Sequence, residues 1–328
     1  MIGADLLARR LSASLLLRSA MLVATVSLFA CALPGGIVWF FAWRLLSGIA
    51  GGIAMVMAAP TIFPHVPPAR RGFVSGAIFM GVGFGIALSG TLVPVLLTQG
   101  ITRAWLGLGV VAATFTLIGW KGWPPPPVQP DLHTVARRHL PLWTLRGLYL
   151  VYGLAAFALV PHMVFLVDFV ARGLNQGLDI ATEYWTLYGL GALAGPLVAG
   201  RAADRWGARR TLIFVLVTQL LFIALPAIDS SPVALIASSL VIGAGTIAIV
   251  PLVLGRTREV LLHHPSAHFS AWRTATASFA LLQAAGAYEM SFLFDYSQGN
   301  YRLLFAVGAA AMFVAIVLSV LTQRPEDS

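Results

Sequence analysis

The chain has 328 residues, 59% of them hydrophobic and only 10% charged, where a soluble domain carries roughly 25% charged residues. With apolar runs recurring from about Ser19 to Leu321, this composition excludes a soluble globular protein and predicts a multi-spanning helical membrane protein. The lone Cys31 excludes a disulfide framework, and the formal charge of +9 raises a nucleic-acid reading that the placement of the charges then decides.

In chain order, Met1 to Ala8 read as the end of a helix, with Asp5 where the basic region of a cleavable signal peptide would belong. Arg9 and Arg10 follow. Span one is predicted at about 19–33, ending at Pro34-Gly-Gly36, and span two at about 37–60, containing Arg44. A loop through Arg70 and Arg71 leads to a Gly-rich span three at about 73–98, and span four covers about 102–120. Pro124 to Pro127 cannot continue a helix and start a stiff, polar stretch to Leu140. Spans five to ten are predicted at about 145–170, 184–203, 211–228, 232–254, 268–292 and 302–322. The domain reading is an N-terminal bundle over 1–120, a Pro-rich linker over 121–144 and a six-helix bundle over 145–328.

The basic residues assign the sides. Arg103, Arg172 and Arg302 fall on one side and Arg44 lies within a span, so the other seventeen of the 21 Lys and Arg share the opposite side. That side is expected to be cytoplasmic and to hold both termini and the linker. The charge therefore belongs to topology, which removes the nucleic-acid reading. Trp39, Trp43, Trp105 and Trp185 sit near one set of span ends, and Trp120, Trp123, Trp143, Trp206 and Trp272 near the other, as interfacial belts do.

The loop between spans six and seven reads Gly200-Arg-Ala-Ala-Asp204-Arg205-Trp-Gly207-Ala-Arg209-Arg210. Four arginines crowd it with one acid, Gly207 permits a tight turn, and Asp204 is placed to pair with a helix N-terminus. The pattern G-x-x-x-D-R-x-G-x-R-R resembles the cytoplasmic-loop signature of the major facilitator superfamily. That resemblance implies an all-α membrane fold of two pseudo-symmetric helix bundles and secondary transport by alternating access. Gly200, Asp204, Arg205, Gly207, Arg209 and Arg210 become gating-loop candidates, and Asp204 is expected to bridge to the inner end of span nine. Over about Gly3 to the C-terminus the chain also resembles the YbfB/YjiJ-type bacterial branch, through Val160-Pro-His162, Arg172-Gly-Leu and Tyr188-Gly-Leu-Gly-Ala-Leu-Ala-Gly-Pro196.

Such transporters are built from two related six-helix halves. Here Gly52 to Pro60 has the spacing of Gly243 to Pro251, and the stretch from Ala8 to Ser14 takes the place of the signature loop without its Asp and Gly. The expectation is about ten complete spans of twelve, the first helix and most of the second being absent, roughly 50–60 residues, by truncation or a misplaced start; the alternative is a genuine ten-helix protein.

Arg44 in Trp43-Arg44-Leu-Leu-Ser-Gly48-Ile-Ala-Gly-Gly52 resembles the family's fourth-helix pattern. It either faces a central cavity, for proton coupling or anion binding, or reaches to the outer headgroups. Gly48 and Gly52 offer a smooth packing face. Span three carries Gly72, Gly81, Gly85 and Gly90 of the fifth-helix pattern of proton-linked exporters, but Ile86 replaces its Pro and Ser89 one of its Gly. His162, Asp168, Gln283 and Glu289 are the remaining proton-coupling or substrate candidates, each with an ordinary structural alternative. No nucleophile set, nucleotide loop or zinc signature occurs, so a non-enzymatic, cofactor-free and metal-free protein is expected. The functional expectation is proton-coupled export of a small organic solute by a monomer in a bacterial inner membrane. The alternatives are proton-coupled uptake of an organic anion and a truncated membrane protein that does not transport.

Overall fold

The computed structural model describes residues 12–124 and 140–322. Arg9, Arg10, the linker core at 125–139 and Arg324 lie outside the described residues. Among these residues the chain is helical, with no strand. Ten long helices occur: α1 (Ala13–Cys31), α2 (Gly36–Ile62), α3 (Arg71–Leu97), α4 (Ile101–Gly119), α5 (Leu142–Ala158), α6 (Gly177–Trp206), α7 (Ala208–Ile228), α8 (Pro232–Val260), α9 (His268–Tyr296) and α10 (Tyr301–Thr322). They match the ten predicted spans in order.

Eight of these helices, α5 being taken to its continuation at Gly173, are long and apolar enough to cross a membrane. The other two, α6 and α9, have the length, with 30 and 29 residues. They are less apolar: besides their charged ends, α6 carries Tyr184, Trp185, Thr186, Tyr188 and several glycines, and α9 carries Thr274, Thr276, Ser278, Gln283 and Tyr288. Local signals set several ends. Ser12 caps α1 by accepting from Leu15 N, and Ser231 caps α8 with Pro232 at the first helical position. Pro60, Pro94, Pro196, Pro226 and Pro251 all lie inside helices, as membrane helices permit.

Past Ala158, α5 loosens. Pro161 has no N–H to continue the ladder, and the backbone runs through π-helical stretches at Pro161–Phe165 and Phe169–Gly173.

The described helices group into two compact units. The first holds residues 12–67 and 92–124, hence α1, α2, α4 and the end of α3. In it Thr25 and Thr116 hydroxyls meet at 2.9 Å, joining α1 to α4, and Trp39 Nε1 donates to the Ala30 carbonyl at 2.9 Å, joining α2 to α1.

The second unit holds residues 68–91 and 140–322, so most of α3 packs with α5 to α10. Its tightest seams are built on glycine. On α6, a Cβ at Gly191 would sit 2.0 Å from the Leu240 carbonyl and one at Gly195 2.1 Å from that of Ala244, so α6 and α8 meet backbone to backbone. On the other side of α6, a Cβ at Gly76 of α3 would sit 2.1 Å from the Pro196 carbonyl and one at Gly83 2.2 Å from the Ala192 carbonyl carbon. Gly72 and Gly90 lie on the same seam. This corrects the packing glycines expected from sequence: among the described residues, no atom lies within 4 Å of a would-be Cβ at Gly48, Gly52, Gly81 or Gly85.

Candidate functional site

The signature loop is a single-residue turn. Gly207 ends α6 and starts α7 at φ 85°, a left-handed conformation that glycine adopts without strain. The last turn of α6 thereby projects Asp204 at the first turn of α3. Its Oδ1 accepts from Gly72 N and its Oδ2 from Phe73 N, both at 2.8 Å. A forked carboxylate thus caps two otherwise unpaired N–H groups at the positive end of a helix dipole. The expected bridge from Asp204 to the inner end of span nine is therefore corrected: both of its oxygens bond the start of span three, and no bond from it to α9 is seen among the described residues.

Glycine makes this reach possible. A Cβ at Gly72 would lie 2.5 Å from both Asp204 Oδ1 and the Gly200 carbonyl, and one at Gly200 2.3 Å from the Gly72 carbonyl. Arg201 lays its guanidinium 4.4 Å from the centroid of the Phe73 ring, adding a cation–π contact beside the cap.

A second acid, absent from the sequence-based candidates, does for α7 what Asp204 does for α3. Glu259 Oε1 accepts from Ala208 N at 2.7 Å, and Oε2 pairs with Arg256 at 3.1 Å. The signal was present, since Glu259 is the one acid among Arg256, Arg258 and the two histidines of that connection. Of the remaining loop candidates, Arg209 is half-buried, and Arg205 and Arg210 are exposed.

The candidates within spans do not converge. Arg44, in the first unit, is exposed and places its guanidinium 5.7 Å from the centroid of Trp105, whose ring also meets Phe40 edge-on at 5.5 Å. In the second unit, His162 is fully buried, with Nε2 2.7 Å from Ser238 Oγ and its ring edge-on to Phe305. Asp168 accepts from the Tyr301 hydroxyl and pairs with Arg172 at 3.2 Å, tying the far end of α5 to the start of α10. Gln283 Nε2 points at Met163 Sδ, 3.0 Å away. Glu289 is exposed. No hydrogen bond or ion pair is seen between any two of them. Tyr301 carried no sequence signal as a partner of Asp168, being 133 residues away.

A separate aromatic cluster joins α3, α5 and α9. Tyr152 stacks 6.3 Å from Trp272 and lies 4.7 Å from Phe279, and Phe79 lies 6.4 Å from Trp272. The Tyr152 hydroxyl and Trp272 Nε1 are buried without a hydrogen-bond partner, as is Ser75 Oγ, one helical turn before Phe79. Such groups normally find partners when buried, and here the three have none among the described residues. Among the described residues no group of His, Cys, Asp and Glu has the arrangement of a metal site.

Solved structures share the fold. The human organic anion transporter MFSD10 (TETRAN) superposes with a TM-score of 0.73 at 16% identity, over 95% of this chain and 78% of that one. The major facilitator transporter FucP, solved in the outward conformation, gives 0.73 at 13% identity over 98% and 86%. A bacterial homologue of the iron transporter ferroportin, in an outward-facing state, gives 0.59 at 14% identity over 95% and 84%. No match is found among curated proteins. A sequence profile of the family described as the uncharacterised MFS-type transporter YbfB matches residues 1–320. The chain is a multi-pass membrane protein and belongs to this transporter family of the major facilitator superfamily.

Proposed function

We propose that the protein moves a small organic solute across the bacterial inner membrane by alternating access, as a monomer driven by a proton gradient in the export direction. The observation that carries this reading is the forked cap of Asp204 on Gly72 and Phe73. It is a polar, breakable clamp between α3 and α6, set into a seam where glycines allow the two helices to slide or part.

The solute contact is assigned to the aromatic cluster of Tyr152, Trp272 and Phe79. Its unpaired hydroxyl and indole donors suit a solute that combines a flat apolar body with hydrogen-bond acceptors. On the two-bundle reading 1–120 and 145–328, joined by the linker, are the bodies that alternate, although residues 68–91 of α3 group with α5 to α10 in this structure, and the charge asymmetry supports cytoplasmic termini.

Uptake of an organic anion is the second reading. The exposed Arg44 favours it, together with the organic anion transport named for the structural neighbour MFSD10. The test is flux in proteoliposomes loaded with candidate solutes under an imposed pH gradient. Export predicts solute moving against the proton flow; anion uptake predicts movement with it. No flux across solute classes, in protein that is folded and correctly inserted, would remove both.

A further inference from the structure

Helix α6 packs face to face with α8, but it parts from α7 just beyond the Gly207 turn. The gap is a groove of about 740 Å³ with α8 as its floor. Its walls stay open because they are lined by small residues, among them Ala199 on α6 and Ala244 on α8. The outer lips are apolar side chains that face away from the unit, Val198 at 67% and Phe214 at 70% exposure. The deep end closes where Gln219 lies against Gly245.

The other end is different in kind. Trp206 and Arg210 line this end, one on either side of the Gly207 turn. Arg210 is exposed and makes no ion pair with another described residue. On α6 the groove runs from Ala194 to Trp206, a helix rise of roughly 18 Å, close to the roughly 15 Å of one leaflet's hydrocarbon.

We infer that this groove is a binding site for an anionic glycerophospholipid of the adjacent leaflet. One acyl chain lies between α6 and α7 and the headgroup phosphate sits on Arg210. The chemistry selects this occupant over others. The walls are mainly apolar, with Thr211, Thr218 and Gln219 the polar side chains among them, the length is that of one leaflet, and the only charge on the lining is a cation with no ion pair to another described residue, at the same end of the groove as the Trp206 indole. The inference rests on the groove alone and is independent of the transport reading.

Native mass spectrometry of the full chain, extracted from vesicles of equal phosphatidylglycerol and phosphatidylcholine, tests it. Wild-type protein should retain one phosphatidylglycerol in preference to phosphatidylcholine. Arg210→Gln should lower that preference about fivefold, the scale of one basic contact to an anionic lipid. Ala199→Phe, which fills the groove, should abolish retention of either lipid. Should Ala199→Phe not fold, Ala244→Phe fills the same space from the floor. Equal retention of the two lipids, retention unchanged in both variant types, or a dimer mass that the filling variants remove would each overturn the assignment.

Discussion

His162 Nε2 lies 2.7 Å from Ser238 Oγ, and the Ser238 hydroxyl gives its hydrogen to the Phe222 carbonyl. A hydroxyl has one hydrogen, so Ser238 can only accept from His162, and Nε2 must carry the proton. That fixes the tautomer and leaves Nδ1 as a bare acceptor, buried with no partner. A second proton on Nδ1 would find nothing to bond, which makes His162 a neutral brace between α5 and α8. Ser238→Ala should therefore strand a buried N–H and lower stability by about 1–3 kcal/mol, read as thermal unfolding in detergent. His162→Gln should leave the pH profile of transport unshifted. A lost or displaced pH dependence in that variant would make His162 a proton carrier after all.

The α3 seam separates two kinds of glycine on one helix. Gly76 and Gly83 have backbone of α6 about 2 Å from where a Cβ would go, whereas Gly81 and Gly85 face nothing. Gly76→Ala and Gly83→Ala should each cost about 1–3 kcal/mol by forcing the helices apart, and should reduce transport at equal expression. Gly81→Ala and Gly85→Ala should match the wild type, or gain slightly in helix propensity. Equal effects at the two pairs would contradict the seam.

That contrast also shows what the sequence made legible. The ten helices follow from hydropathy, and the loop follows from its own spacing, because both are local properties. The glycines matched by the exporter pattern share an order along the chain but not a face. Those on the seam, at 72, 76, 83 and 90, recur at intervals of four and seven, which is a helical stripe and was there to be counted. The partner of Asp204 was beyond reach, since the loop's sequence says that an acid meets a helix start without saying which one. Glu259 was visible as a lone acid among bases, but its purpose depends on where α7 begins in space. Tyr301 could be linked to Asp168 only by the folded chain.

The two carboxylate caps should be separable. Asp204→Asn keeps one acceptor oxygen for two N–H groups and removes the charge at the helix start, at a cost of about 1–3 kcal/mol. Hydrogen exchange should quicken at Gly72 and Phe73, and transport should fall while membrane expression persists. Glu259→Gln should quicken exchange at Ala208 instead. Unchanged exchange at Gly72 together with normal transport would remove the clamp role of Asp204.

Orientation is open to direct labelling, because the one native cysteine, Cys31, is buried. Gln298, between α9 and α10, and His263, between α8 and α9, are exposed on opposite ends of the fold. A cysteine at Gln298 should react with an impermeant thiol reagent applied to intact cells, and one at His263 only after the membrane is opened. The reverse pattern would invert the topology drawn from the arginines.

Arg44 gives the sharpest test of the transport chemistry. A guanidinium keeps its proton at any accessible pH, so Arg44 cannot carry protons itself. What it offers is a fixed positive charge, held in place by the face of Trp105. Such a charge either binds the solute's anionic group or biases a nearby acid. Lysine keeps the charge but not the flat group that stacks on the indole, and the contact is worth about 0.5–2 kcal/mol. Arg44→Lys should then keep the fold and lose transport by about two- to thirtyfold, the same range expressed as a rate. Trp105→Leu should show a similar loss with Arg44 intact, whereas Arg44→Ala should abolish transport. Proteoliposome flux across a pH series reads all three. If Arg44→Ala transports at the wild-type rate with its pH dependence intact, the guanidinium is only an interfacial anchor on the tryptophan belt, and both the anion-binding and the coupling roles fall with it.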